Sequence, residues 1–216
     1  MSGNHSQAYP VSIELREMLF TELKRCGIDF SETAVIDETE LLIAQNAHLS
    51  IDFAAENLMA KCALILSCYH ALIAAGIACR QSRDILGKVM EQSWKSRIQT
   101  HLSNRFGLLP AQREGAFETV AANFKAFGEK IYGAAFKYEQ EVQDRTHSFV
   151  NIHTCFFNDF LNENGAPELN GLFCNLDNLW AEELEHRYGV YFRRPETLER
   201  GGAMCRFQFF RYRETA

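Results

Sequence analysis

The sequence lacks the short motifs that announce the common chemistries. It contains no GxGxxG, P-loop, HExxH, GxSxG or CxxC, so nucleotide binding and the familiar hydrolase classes lose their simplest support. A basic face is missing too. Lys and Arg number 22 against 28 Asp and Glu, a net charge of −6, which argues against a nucleic-acid partner. The one local excess is Arg193, Arg194, Arg200, Arg206, Arg211 and Arg213 near the end. No unbroken apolar run reaches spanning length: residues 57–79 come nearest, but Lys61 and His70 interrupt them, and the expectation is a buried central helix and no membrane. Repeats and low-complexity tracts are absent, which sets solenoids and disorder aside. The polar opening from Met1 to Gln7 shows no signal-peptide pattern, and an odd count of seven cysteines does not fit a disulfide framework. Both point to a reducing, cytoplasmic setting in which the thiols pack, bind metal or catalyse.

What is present reads as α+β. The 216 residues are 47% apolar, enough for one domain over 1–216 with a mainly helical part (1–145) and a Cys-containing α/β part (146–216). Apolar spacing predicts helices over 12–26 (Leu15, Leu19, Leu23, stopped at Gly27), 38–47, and from Asp52 to near Gly76. A fourth is capped by Ser82 and carries Ile85, Leu86, Val89, Met90, Trp94 and Ile98. A fifth runs from Phe117 to Gly128 and a sixth from Glu129 to about Arg145. After Thr146 the period changes to two. Phe149, Asn151, His153 and Cys155 alternate with Val150, Ile152 and Thr154, a strand pattern. Helices over 156–163 and 168–185 follow, then extended runs Gly189–Arg194 and Met204–Arg213, the latter with Cys205, Phe207 and Phe209 on one face. The expected architecture is a helical N-terminal two-thirds packed on a small antiparallel sheet built largely from the C-terminal third.

The chemistry-bearing residues gather in that last third. On a strand His153 and Cys155 share a face. On a helix Cys174 and Asp177 lie three apart on one side. Cys205 points with the apolar face of the last strand. Three separate elements could therefore deliver thiols to one place. Free cysteine is often only a small buried filler, and that is the reading for Cys62, Cys68 and Cys79. His70 reads as a hydrogen-bonded core histidine, and the 17 Phe as core.

The run Cys155-x5-Leu161-x3-Gly165-x-Pro167-Glu168-Leu169-x3-Phe173-Cys174-x2-Asp177, then Arg194-x2-Thr197-Leu198-x2-Gly201-Gly202-x2-Cys205-x-Phe207, resembles the signature of the L-2-amino-thiazoline-4-carboxylic acid hydrolase family. Tyr69–Gly76 is similar to that family's N-terminal helices. One departure is visible: the family commonly has Cys-Asp-Phe where this chain has Cys205-Arg206-Phe207. The resemblance implies water-driven opening of a cyclic isothiourea to carbamoyl-cysteine. A thiolate paired with His153 could attack the amidine carbon, Asp177 could hold the amidine or orient the histidine, and Arg194 or Arg206 could grip the carboxylate, with Glu168 a further substrate-binding candidate. The same thiols (Cys155, Cys174, Cys205) with His or Asp would also suit zinc and a metal-activated water, although no cofactor is expected. A small-molecule substrate is the expected partner. The alternatives are a non-catalytic ligand- or metal-binding module, or a tailoring enzyme in a natural-product pathway. Oligomeric state is not legible.

Overall fold

The computed structural model describes residues 10–110 and 112–212. The opening Met1–Gln7 and Arg213 lie outside the described residues. Six helices precede the sheet: α1 (Pro10–Arg25), α2 (Glu32–Gln45), α3 (Phe53–Ala74), α4 (Cys79–Lys95), α5 (Ile98–Phe106) and α6 (Ala116–Tyr132). Strands β1 (Phe136–Gln143) and β2 (His147–Cys155) form a hairpin. The chain continues through α7 (Phe156–Glu163), α8 (Asn170–Glu183), β3 (Tyr191–Arg193) and β4 (Cys205–Phe210). The sheet is antiparallel, in the order β1-β2-β4-β3. The fold class is α+β, as the apolar periodicities imply.

Helix α3 is the hub. Asp52 caps it, its side chain accepting from the Ala55 N–H at 2.8 Å, and Leu58, Met59, Cys62, Ile65, Leu66 and Leu72 are buried along it. It packs against α1, α2, α4, α6 and α7. By length and composition it is the one helix among the described residues that could cross a membrane, but 61% of its apolar window is covered by the rest of the fold. A core helix satisfies the same composition test.

Several expected boundaries move. The predicted sixth helix over 129–145 does not form. Helix α6 ends at Tyr132, Gly133 takes φ +58, and β1 begins at Phe136. The Asp52 carboxylate that caps α3 also accepts the Ala134 N–H at 2.8 Å, and a Cβ at Gly133 would overlap that carboxylate. The tertiary cap thus stops the helix where propensity alone would continue it. Helix α2 starts earlier than expected, at Glu32, because Ser31 caps it by accepting the Ala34 N–H at 3.2 Å. Ser82 is not the cap of α4: the helix begins at Cys79, and Ser82 is buried inside it. The stretch expected as one helix to Ile98 breaks after Lys95, and Ile98–Phe106 is a separate helix.

The sheet and α8 enclose an aromatic core. Phe106, Phe124, Trp180 and Phe209 are fully buried, with Phe124–Phe209 ring centroids 4.8 Å apart and Trp180–Phe192 at 4.8 Å. Burial of each such ring is worth about 1.5–3 kcal/mol.

Candidate functional site

A cavity of about 280 Å³ lies between the helical layer and the inner face of the sheet, close to the lower end of the roughly 300–1,000 Å³ typical of small-molecule sites. Its sheet-side wall is built by the C-terminal third. Cys155 ends β2 and precedes the first turn of α7. Cys174 and Asp177 stand on α8, Arg194 follows β3, and Cys205 opens β4. All five line the cavity, so the three thiols converge from three elements as the spacing suggested.

The convergence depends on a feature that strict alternation misses. Tyr138 pairs with Ile152, and Lys137 pairs with Thr154, which leaves His153 as a bulge in β2. An extra residue reverses the alternation beyond it. Ile152 and Cys155 therefore both face the cavity, while His153 turns to the outer face and meets Glu139 (Nε2 to Oε2, 2.5 Å). The expectation that His153 shares a face with Cys155 is thus corrected.

Two other sequence candidates also lie elsewhere. Arg206 pairs with Asn151 in the ladder and points outward, where its Nε donates to Glu196 Oε2 at 3.0 Å. The Cys-Arg-Phe departure therefore alters the outside of the sheet and leaves the cavity lining unchanged. Glu168, in the turn before α8, accepts the Tyr69 hydroxyl at 3.0 Å and joins α3 to the motif segment. His70 is exposed and bonded to Glu38 at 2.6 Å, not a core residue. Cys62 and Cys68 are buried packing residues, whereas Cys79 is exposed.

Within the sheet-side wall the polar groups satisfy one another. Arg194 Nη1 donates to Asp177 Oδ2 at 2.5 Å, and its Nη2 donates to the Cys174 carbonyl at 3.0 Å. Trp180 Nε1 donates to the other Asp177 oxygen at 2.9 Å. The Arg194 guanidinium also lies over the Phe207 ring, 5.5 Å from its centroid. The Leu198 N–H donates to Cys205 Sγ at 3.3 Å, an amide placed by the Gly201-Gly202 turn. A Cβ on Gly202 would strike Glu196 and the Thr197 carbonyl, so the tight turn requires glycine there.

Burial governs the thiols. It pushes Cys155 well above the ordinary thiol range, Cys174 up to about 12, and Cys205 upward as well. Opposing influences are present at each. The Asn158 and Phe157 amides at the start of α7 favour a Cys155 thiolate, the Arg194 charge favours one at Cys174, and the Leu198 amide does so at Cys205. At neutral pH all three are thiols in the free protein.

The helical wall was not legible as a site. Lys61 from α3, Arg97 before α5, and His101 and Arg105 from α5 line the same cavity, with Tyr132 and Tyr138 between the two walls. Lys61 could have been noticed as the single charge within an apolar run. His101 and Arg105, four apart, share a helix face, but they fall in a stretch to which apolar spacing assigned no element.

No three His, Cys, Asp or Glu side chains among the described residues form a group able to hold a metal ion. The three thiols line the cavity without forming such a group.

Residues 56–209 match the L-2-amino-thiazoline-4-carboxylic acid hydrolase family, and the chain belongs to that family. The match spans both walls of the cavity, from α3 to β4. Comparison with curated proteins and with solved structures finds no match.

Proposed function

We propose that the protein is a cytoplasmic hydrolase that opens the ring of 2-amino-thiazoline-4-carboxylate, or of a closely related cyclic isothiourea, with Cys155 as nucleophile. The observation that carries the reading is the convergence of three thiols from β2, α8 and β4 on one cavity, in a chain of this family.

The chemistry follows from neutral thiols and a basic substrate. The amidine nitrogen of the isothiourea accepts the Cys155 proton as sulfur attacks the ring carbon, so the protein need not hold a thiolate beforehand. The α7 amides beside Cys155 favour the charge that develops on sulfur. Asp177, held by Arg194 and Trp180, accepts from the amino group of the protonated amidine and orients the attacked carbon. Cleavage of the ring C–S or C–N bond, with proton transfer to the departing atom, leaves the carbon on Cys155. Water then adds to that carbon and the Cys155 thiol departs. The net change is uptake of one water with no loss of ammonia, giving N-carbamoyl-cysteine from C–S cleavage or S-carbamoyl-cysteine from C–N cleavage.

Mass spectrometry of the reaction tests this directly. The expected products are carbamoyl-cysteine in solution and, after acid quenching, an adduct of the intact substrate's mass on the peptide bearing Cys155. A folded Cys155→Ala protein with wild-type turnover would sink the assignment.

A further inference from the structure

We infer that Lys61, His101 and Arg105 form a carboxylate-binding subsite at the helical end of the cavity. This inference rests on the hydrolase reading for the identity of the substrate, but on the structure alone for the existence of an anion site.

Arg105 is 4% exposed, and its Nε has no hydrogen-bond partner. The His101 Nε2 is likewise buried and unpartnered. Among the described residues neither Lys61 nor Arg105 forms an ion pair with a carboxylate. The Arg105 guanidinium instead faces the Phe106, Phe124 and Trp180 rings at 5.0–5.7 Å, which favour a cation but accept no directed hydrogen bond from its Nε. Burying a cation without a counter-ion is costly, and burial already holds Lys61 below the ordinary lysine range; both basic groups line one wall of the cavity.

The remaining candidates for holding a carboxylate are already engaged. Arg194 is bonded to Asp177 and Cys174, Arg206 faces away from the cavity, and Arg97 pairs with Glu14. A carboxylate between Lys61 and Arg105 would supply both the counter-charge and the missing acceptors, with His101 as a neutral donor. Tyr132 is a side-chain hydrogen-bond partner of Arg105 and lies near Cys155 and Asp177. A compact ring anchored at this end therefore presents its far side to the thiols.

The test is calorimetric binding of two probes to the full chain. One is 2-aminothiazole-4-carboxylate, whose aromatic ring resists opening, and the other is 2-aminothiazole, which lacks the carboxylate. Lys61→Met is expected to weaken the first by about tenfold or more and to leave the second within about twofold, with Lys61→Arg restoring most of the loss. Arg105→Lys, which keeps the charge but not the fork, is expected to lie between. A Lys61→Met protein with wild-type thermal unfolding and unchanged preference for the carboxylate probe would overturn the subsite, as would a wild-type protein that binds neither probe. If the wild type opens 2-amino-thiazoline-4-carboxylate and Lys61→Met does so with unchanged KM, the subsite falls and the hydrolase reading stands. If no opening occurs but carboxylate preference depends on Lys61, the hydrolase reading falls and the subsite stands.

Discussion

The two walls of the cavity are made from opposite electrostatic designs. On the sheet side each charged group has a partner: Arg194 and Asp177 neutralise each other, Trp180 takes the second carboxylate oxygen, and the Leu198 amide meets Cys205. On the helical side Lys61, His101 and Arg105 face the same space, and the buried His101 Nε2 and Arg105 Nε are unmatched. A paired wall is rigid before anything binds, because each group already satisfies its neighbour. An unpaired wall remains costly until an anion arrives. On the proposed reading the difference divides the work: one side would hold the reacting groups in place, and the other would select what enters.

The largest expected effect breaks the paired wall at its nucleophile. Cys155→Ala should lower turnover by about 10³-fold or more with little change in unfolding temperature, since one sulfur at a cavity surface contributes little packing. Cys79→Ala, at an exposed site, is the matching control and should leave turnover unchanged. Steady-state kinetics with circular dichroism melts decides between them. Equal losses in both variants would remove the distinction between cavity and surface thiols.

Asp177→Asn attacks the scaffold of the same wall. It leaves the Arg194 charge largely buried without its counter-ion, a change expected to cost about 3 kcal/mol of stability. Urea denaturation measures it. A loss below about 1 kcal/mol would mean that the pair is no more than an exposed one.

The unpaired wall should show itself in acid. Burial, then the charges of Arg105 and Lys61, lower His101 to about 3 from its ordinary value of 6.5. Between those two pH values the unfolded chain binds a proton that the folded protein refuses. Stability therefore falls as pH drops through this window, by up to about 1.4 kcal/mol per pH unit. From pH 7 to pH 5 the wild type should lose about 2 kcal/mol more than His101→Gln. Parallel pH curves for the two proteins would contradict a desolvated His101.

What could be read from the chain beforehand was the part governed by local pattern. Helix α7 spans 156–163 as expected, and β4 turns Cys205, Phe207 and Phe209 inward, because alternation and helical spacing set those directions. The directions of Cys174 and Cys205 were legible for the same reason, whereas Cys155 reaches the cavity only through the bulge in β2. The errors arose where a distant group overrode local preference. Asp52 ends α6 from 82 residues away in the chain, and a single bulge at His153 turns Cys155 into the cavity while His153 stays on the outer face. Lys61 and Arg105 lie 44 positions apart in sequence. Only the packing of α3 against its neighbours brings their shared cavity into being, and no spacing rule could link them.

Glu168 gives the smallest effect and the sharpest check on what a family motif means. It belongs to the Gly-x-Pro-Glu-Leu segment, yet its carboxylate is bonded to Tyr69 of α3 at 3.0 Å and does not line the cavity. Its neighbour Asn164 exchanges side-chain hydrogen bonds with Asn46 at 3.1 and 2.9 Å, so the motif turn is fastened to the helical layer at two points. Glu168→Gln keeps an acceptor for the Tyr69 hydroxyl and should cost about 1 kcal/mol or less, with KM and kcat within about twofold of wild type. Glu168→Ala should cost more stability and still leave KM alone. A rise in KM without loss of stability would place Glu168 on the substrate, and the division between a paired reactive wall and an unpaired selecting wall would then have to include a third contact from the motif turn.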